Sequence, residues 1–241
     1  MIIRKNYLNK IRPFISKPVI KVITGIRRCG KSVLMQQLRD ELFAKGVLLE
    51  HVIYINKELN EFDFIRNYQD LHDYVSSQSK SGGKKTHYLF IDEIQEIEQW
   101  ERAIGSFLAE KKYDIYITGS NAQLLSSELA TLLSGRYVEF QIHTLTYAEF
   151  IKLSSQQHAE TTAYSDNSFD AFLKFGGFPG LHSLSWDENV IRQYLQSVFN
   201  TIILKDIIIR NSVRDAAMLQ RILGYVADNI GNITTAKSIS D

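Results

Sequence analysis

A chain of 241 residues with 28 Lys plus Arg against 27 Asp plus Glu carries a net charge of +1. That near-balance argues against a whole surface serving as a nucleic-acid footprint, although a local patch stays open. Hydrophobic residues at 44% and three prolines describe a compact globular protein rather than a disordered chain, long enough for one large domain or one domain with a smaller companion.

One cysteine, Cys29, cannot form an internal disulfide and suits a reducing cytosol. The opening "MIIRKNYLNKIRPFISK" is broken by charges every few residues and does not read as a signal peptide. The most apolar run, "TIILKDIIIR" (201–210), is interrupted by Lys205 and Asp206, which argues against a membrane span. The expectation is a soluble, cytoplasmic protein with no membrane partner.

In chain order, strand and helix patterns alternate through the first 150 residues. "KPVIKVITG" (17–25) reads as a strand, and "SVLMQQLRDELFAKG" (32–46) as a helix stopped at Gly46. "HVIYIN" (51–56) and "HYLFID" (87–92) are strands with a helix, "YQDLHDYVSSQ" (68–78), between them. A helix over 99–112, a strand over 113–119, a helix over 121–135 and a fifth strand over 136–145 follow. Such alternation predicts an α/β fold with parallel strands and helices on both faces. After Phe150, "LSSQQHAETTAYSDNS" (153–168) is polar and lacks helical periodicity, so it reads as a surface loop or boundary. Helical patterns resume at 169–177, from Trp186 to about Ile203, and from Arg214 to Ile230. The last is expected to bury Leu219, Ile222, Leu223, Val226 and Ile230.

"GIRRCGKS" fits the G-x-x-x-x-G-K-[ST] phosphate loop, with Gly25, Gly30, Lys31 and Ser32 at the fixed positions. Chance produces such a match in roughly one chain of this length in a hundred. A strand precedes it and a helix follows, as the motif requires. Backbone N–H groups of the loop and of the helix start would cradle phosphate. The candidate cofactor-binding set is therefore Gly25, Ile26, Arg27, Arg28, Cys29, Gly30, Lys31, Ser32 and Val33. Lys31 would reach the β- and γ-phosphates, and the Ser32 hydroxyl would coordinate Mg²⁺. The arginines Arg27 and Arg28 either meet phosphate or face an acidic neighbour. Beside them, Cys29 is expected to have a lowered thiol pKa.

"HYLFIDEIQE" supplies acids at a strand end: Asp92 for Mg²⁺ and Glu93 to take a proton from the attacking water. An acidic turn that only ends a strand is the bland alternative. "YITGSN" offers Ser120 or Asn121 for the γ-phosphate or the water, unless they merely cap the helix that follows. Arg136 in "LLSGRYVEF" either reaches a neighbouring subunit's γ-phosphate or forms a surface salt bridge. The basic clusters "RKNYLNKIR" and "KSGGKK" (80–85) could touch nucleic acid, but more often such runs are solvated.

Taken together, "TGIRRCGKSVLMQQL", "YLFIDEIQEIEQWE", "YITGSNAQLLSSELATLLSGRYVEF" and "FGGFPG" resemble an uncharacterised AAA-type ATPase family of bacteria and archaea. In that family the ATPase core precedes a C-terminal domain of unknown function. The resemblance implies a P-loop NTPase with a five-stranded parallel sheet in the order 5-1-4-3-2, binding ATP with Mg²⁺. It implies a finger or sensor role for Arg136 and an adenine contact for Pro179 of "GGFP", where a rigid helix stop is the simpler alternative. It also implies a core over 1–150, an all-α lid over 151–210 and the start of a winged-helix module over 211–241 that ends early. Two functional readings follow: an Mg-dependent ATPase that homo-oligomerises, or a nucleotide-controlled DNA-binding or signalling switch with little turnover. A nucleotide kinase is a weaker third, lacking an evident acceptor-binding set of arginines.

Overall fold

The computed structural model describes residues 2–79, 86–119, 133, 135–157, 168–209, 215–233, 235 and 237. It divides into two compact units, Met1–Leu195 and Gln196–Asp241.

The first unit is built on five parallel strands: β1 (Ile20–Thr24), β2 (Val52–Asn56), β3 (His87–Asp92), β4 (Tyr113–Gly119) and β5 (Tyr137–Gln141). Their spatial order is β2-β3-β4-β1-β5, the expected 5-1-4-3-2 read from the other side. Every residue of β1 and β4 is buried, whereas edge strand β2 alternates buried and half-buried positions. Central strands covered on both faces read as continuous apolar runs for that reason.

Alternation along the strands feeds two cores. Ile20, Val22, Ile55, Leu89, Ile91, Ile115 and Ile117 face one side, with Ile104 and Phe107 of α4 (Trp100–Glu110) and Leu71 and Val75 of α3 (Tyr68–Gln78). Ile23, Phe90, Tyr116 and Phe140 face the other. There they join Leu8 and Ile11 of α1 (Lys5–Ile11) and Leu34, Met35 and Leu38 of α2 (Lys31–Ala44). Helix α3 starts where its sequence dictates, because Asn67 and Asp70 form a reciprocal capping box.

Three expectations need correction. The segment 153–157 is not loop: it closes helix α5 (Tyr147–Gln157) and contributes buried Leu153 and Ser154. Its polar residues concealed an apolar face made by Phe150 and Leu153. The basic N-terminal cluster is not simply a solvated run either, since Arg4 is buried together with Leu8 and Ile11. The third concerns the second unit, described below. Helix α6 (Ser168–Phe175) stops at Gly176–Gly177 as expected, and α7 (Glu188–Thr201) follows a 3₁₀ turn over Pro179–Ser183. The expected helix over 121–135 and the "KSGGKK" stretch lie outside the described residues, apart from Leu133 and Gly135.

The second unit holds the end of α7, a π-helical stretch over Ile202–Ile209 and α8 (Ala216–Asp228), whose N-cap Asp215 accepts a hydrogen bond from Met218 N–H. Helix α8 buries none of its residues. Leu219, Ile222 and Leu223 are half-buried, while Val226 and Ile230 are exposed, against expectation. Apolar periodicity marks a face that seeks a partner but does not supply one. Among the described residues, no helix is long and apolar enough to cross a membrane.

Candidate nucleotide site

The site forms at the carboxyl ends of β1, β3 and β4. Strand β1 runs straight into the loop, and a side chain at Gly25 is excluded: a Cβ there would stand 2.3 Å from the Ile142 carbonyl oxygen. The loop turns under Cys29 and enters α2 at Gly30, an N-cap in the left-handed region with no side-chain cap. The first N–H groups of a helix lack intrahelical acceptors, so an uncapped start presents donors and the positive end of the helix dipole to an anion.

Lys31 is buried, and its Nζ donates to the carbonyls of Gly25 (3.0 Å) and Ile26 (3.3 Å). The same Nζ lies 3.6 Å from Glu93 Oε1. Glu93 ends β3 with φ 55°, a left-handed conformation that costs an ordinary residue about 1–2 kcal/mol. Its carboxylate also accepts from Gln95 Nε2. The loop lysine and the candidate base are thus already side by side.

Asp92 is fully buried. Its Oδ1 accepts from the Thr118 hydroxyl, while Oδ2 has no hydrogen-bond partner among the described residues. Burial pushes its carboxyl above the ordinary range, and the Ser32 and Thr118 hydroxyls pull it back. A buried carboxylate oxygen left open beside a serine hydroxyl fits a hard divalent cation, which takes oxygen ligands. Thr118 was not singled out in the sequence, yet its hydroxyl also accepts the Glu93 N–H at 3.0 Å. One side chain therefore fixes both acids. Its signal was the polar residue at the end of a buried strand, two positions before Ser120. Ser120 and Asn121 themselves lie outside the described residues.

Pro179 does approach the loop. The Gly177 carbonyl accepts a hydrogen bond from the Leu145 N–H at 2.7 Å, in a contact so close that a Cβ on Gly177 would stand 2.2 Å from the Leu145 oxygen. That join carries Pro179 Cγ to 3.9 Å from where a Cβ on Gly30 would stand. Ile26 and Arg28 are exposed, Arg27, Ser32 and Val33 are half-buried, and Arg28 adopts φ 63°.

One loop-linked expectation comes out differently. Cys29 is buried in the α1–α2 core, and burial raises its thiol pKa, with Lys31 and Arg4 opposing too weakly to reverse it. Desolvation outweighs nearby cations once the sulfur leaves water. Arg136 is exposed at the start of β5, its carbonyl accepting from Ile20 N–H at 2.9 Å. β1 and β5 are parallel and in register from Ile20↔Tyr137 to Thr24↔Gln141. About 20 Å along the strand direction therefore separates its backbone from the start of the phosphate loop. Arg136 does not join Lys31 and Glu93 within one chain.

A parallel sheet in this order, with an uncapped helix start and two consecutive acids at the end of β3, defines a P-loop α/β protein. A model of the AAA domain family matches residues 17–151, and one of a domain of unknown function (DUF8612) matches residues 166–241. The chain belongs to the AAA domain family, a membership that supports nucleotide binding.

It is similar to an uncharacterized protein of Haemophilus influenzae, 39% identical over all of this chain and 59% of the relative. An uncharacterized protein of Methanocaldococcus jannaschii is 31% identical over 92% of this chain and 49% of its own length. The chain thus spans about half to three-fifths of these relatives. Among solved structures, Saccharomyces cerevisiae RIF2 matches with TM-score 0.46 at 12% identity, over 72% of this chain and 68% of that one. A chain of Drosophila ORC bound to AT-rich DNA and Cdc6 matches with TM-score 0.40 at 11% identity, covering 93% and 80%.

Proposed function

We propose that the chain binds ATP with Mg²⁺ at the loop Gly25–Ser32 and hydrolyses it. The observation that carries this reading is the convergence of Lys31, Asp92 and Glu93 beside the uncapped start of α2. Loop N–H groups and Lys31 bind and orient the phosphates. Ser32 and the open oxygen of Asp92 would hold Mg²⁺, which supplies charge neutralisation on the phosphate oxygens. Glu93 takes a proton from water at its carboxylate, after Lys31 exchanges the Gly25 and Ile26 carbonyls for phosphate oxygens. Ser120 and Asn121 are read as further γ-phosphate or water contacts, and Pro179 as the residue that closes over the base. The segment over 151–210 is read as a lid and that over 211–241 as the start of a winged helix, through which DNA is a candidate partner of the longer protein.

Calorimetric titration with Mg-ATP tests this reading. Lys31→Ala should weaken binding at least about tenfold, and Glu93→Gln should keep affinity while losing turnover by about two orders of magnitude. Wild-type affinity in Lys31→Ala sinks the site.

The exposed position of Arg136 at the other edge of the sheet favours a second reading for the isolated chain: tight binding with little turnover. Hydrolysis then requires Arg136 from a second copy. Turnover per subunit that rises with protein concentration, and loses that rise in Arg136→Ala, separates the oligomeric ATPase from the switch.

A further inference from the structure

The first cation of the N-terminal cluster is only 3% exposed and is saturated with acceptors. Arg4 Nη1 donates to the carbonyls of Cys29 (3.2 Å) and His143 (2.9 Å), and Nη2 to that of Thr144 (3.2 Å). Its Nε and Nη2 form a fork with Glu149 of α5, at 3.2 and 3.1 Å. The guanidinium lies over the Tyr7 ring at 4.5 Å, and the Tyr7 hydroxyl accepts the His143 N–H. The Arg4 backbone N–H donates to Gln37 of α2, whose side-chain nitrogen donates to the Ile2 carbonyl. One residue therefore joins the phosphate loop, α2, the turn after β5 and α5.

The bond to Cys29 reaches the loop's donors. In a trans peptide the C=O and the next N–H point in opposite directions, and no cis peptide is present. Holding the Cys29 carbonyl on Arg4 therefore turns the Gly30 N–H away from Arg4, and a cation on the carbonyl strengthens the N–H as a donor. Glu149 neutralises the guanidinium, so Arg4 acts through the peptide and is not itself a phosphate ligand. The Glu149 carboxyl is pushed up by burial but held below its ordinary range by the hydrogen bonds from Arg4 and Thr146.

We propose that Arg4, held by Glu149, is a positioning residue that orients the Gly30 N–H for phosphate and ties loop occupancy to the turn that carries Leu145. Through the Leu145–Gly177 join, that turn also leads to Pro179. This inference rests on the reading of the loop as a nucleotide site.

The test measures Mg-ATP affinity and thermal midpoint together, below the melting range, for wild type, Lys31→Ala, Arg4→Met, Arg4→Lys and Glu149→Gln. Arg4→Met should weaken ATP about tenfold, the scale of one charge-assisted hydrogen bond. Arg4→Lys should recover little, because an ammonium cannot make the fork and all three carbonyl bonds at once. Glu149→Gln should lose a smaller part. Should Arg4→Met fail to fold, Arg4→Lys and Glu149→Gln carry the test. Lower midpoints with wild-type affinity would make Arg4 structural only and overturn the proposal. If wild type binds no more ATP than Lys31→Ala, the nucleotide reading fails, and this inference with it.

Discussion

The two edges of the central sheet bury charge in opposite ways. At the amino edge, Lys21 pairs with Asp114, donates to the Lys17 carbonyl (3.2 Å) and lies 4.9 Å over the Tyr116 ring. The second Asp114 oxygen accepts from Ser16 N–H and the Tyr116 hydroxyl, both at 2.8 Å. Both oxygens of Asp114 and the Lys21 ammonium are thus partnered. At the carboxyl edge Asp92 keeps one oxygen open, Lys31 rests on carbonyls it can exchange, and α2 starts without a cap. A closed network stabilises one structure, whereas an open one stores binding capacity at a cost in the unliganded fold.

The largest expected effect comes from breaking the closed edge. Lys21→Met should cost about 3–5 kcal/mol, because it leaves Asp114 buried and unpaired. Asp92→Asn should leave the ligand-free protein as stable or more so, because burial already disfavours the carboxylate there. Urea midpoints for the two variants compare the edges directly. Equal losses would abolish the distinction between them.

Thr118 sharpens the same contrast at smaller scale, being a closed element inside the open edge. Thr118→Val should cost about 1–3 kcal/mol by stranding Asp92 Oδ1 and the Glu93 N–H. It should also reduce the gain in nucleotide affinity on adding Mg²⁺, and Thr118→Ser should restore most of both. A valine variant with an undiminished Mg²⁺ response would reduce Thr118 to packing.

Sequence and fold agree best where one local signal suffices. The phosphate loop, the three strands that end near it and α3 with its capping box are each written in a short run of consecutive residues. The misjudged features depend on distant partners. Arg4 reads as a solvated cation because its acceptors lie 25 to 145 positions away. Cys29 reads as reactive from its neighbours in sequence, while its burial is decided by α1 and α2. The helix end over 153–157 is illegible in the sequence because serine and glutamine carry little apolar pattern once Phe150 and Leu153 are set apart from them.

The amino edge also holds a histidine pair, His51 and His87, whose ring nitrogens escape that closure, and His87 gives the smallest effect. The rings of His51 and His87 meet edge to face at 5.3 Å, and Nδ1 of His87 has no hydrogen-bond partner among the described residues. Burial lowers the His87 pKa; His51 and Lys112 lower it further, and Glu50 opposes them. At pH 8 folded and unfolded chains are both neutral at this site, so it contributes no pH slope. As pH falls below about 6.5, the unfolded histidine takes a proton that folded His87 refuses, and stability is lost until the folded pKa is passed. Each unit of depression costs about 1.4 kcal/mol at that plateau. Urea midpoints between pH 8 and 5 should therefore fall less steeply in His87→Gln than in wild type. A neutral orphan can be tolerated at the amino edge because it is uncharged at working pH, unlike the open carboxylate of Asp92. Equal slopes would mean that His87 protonates freely and that the amino edge is not closed to charge there.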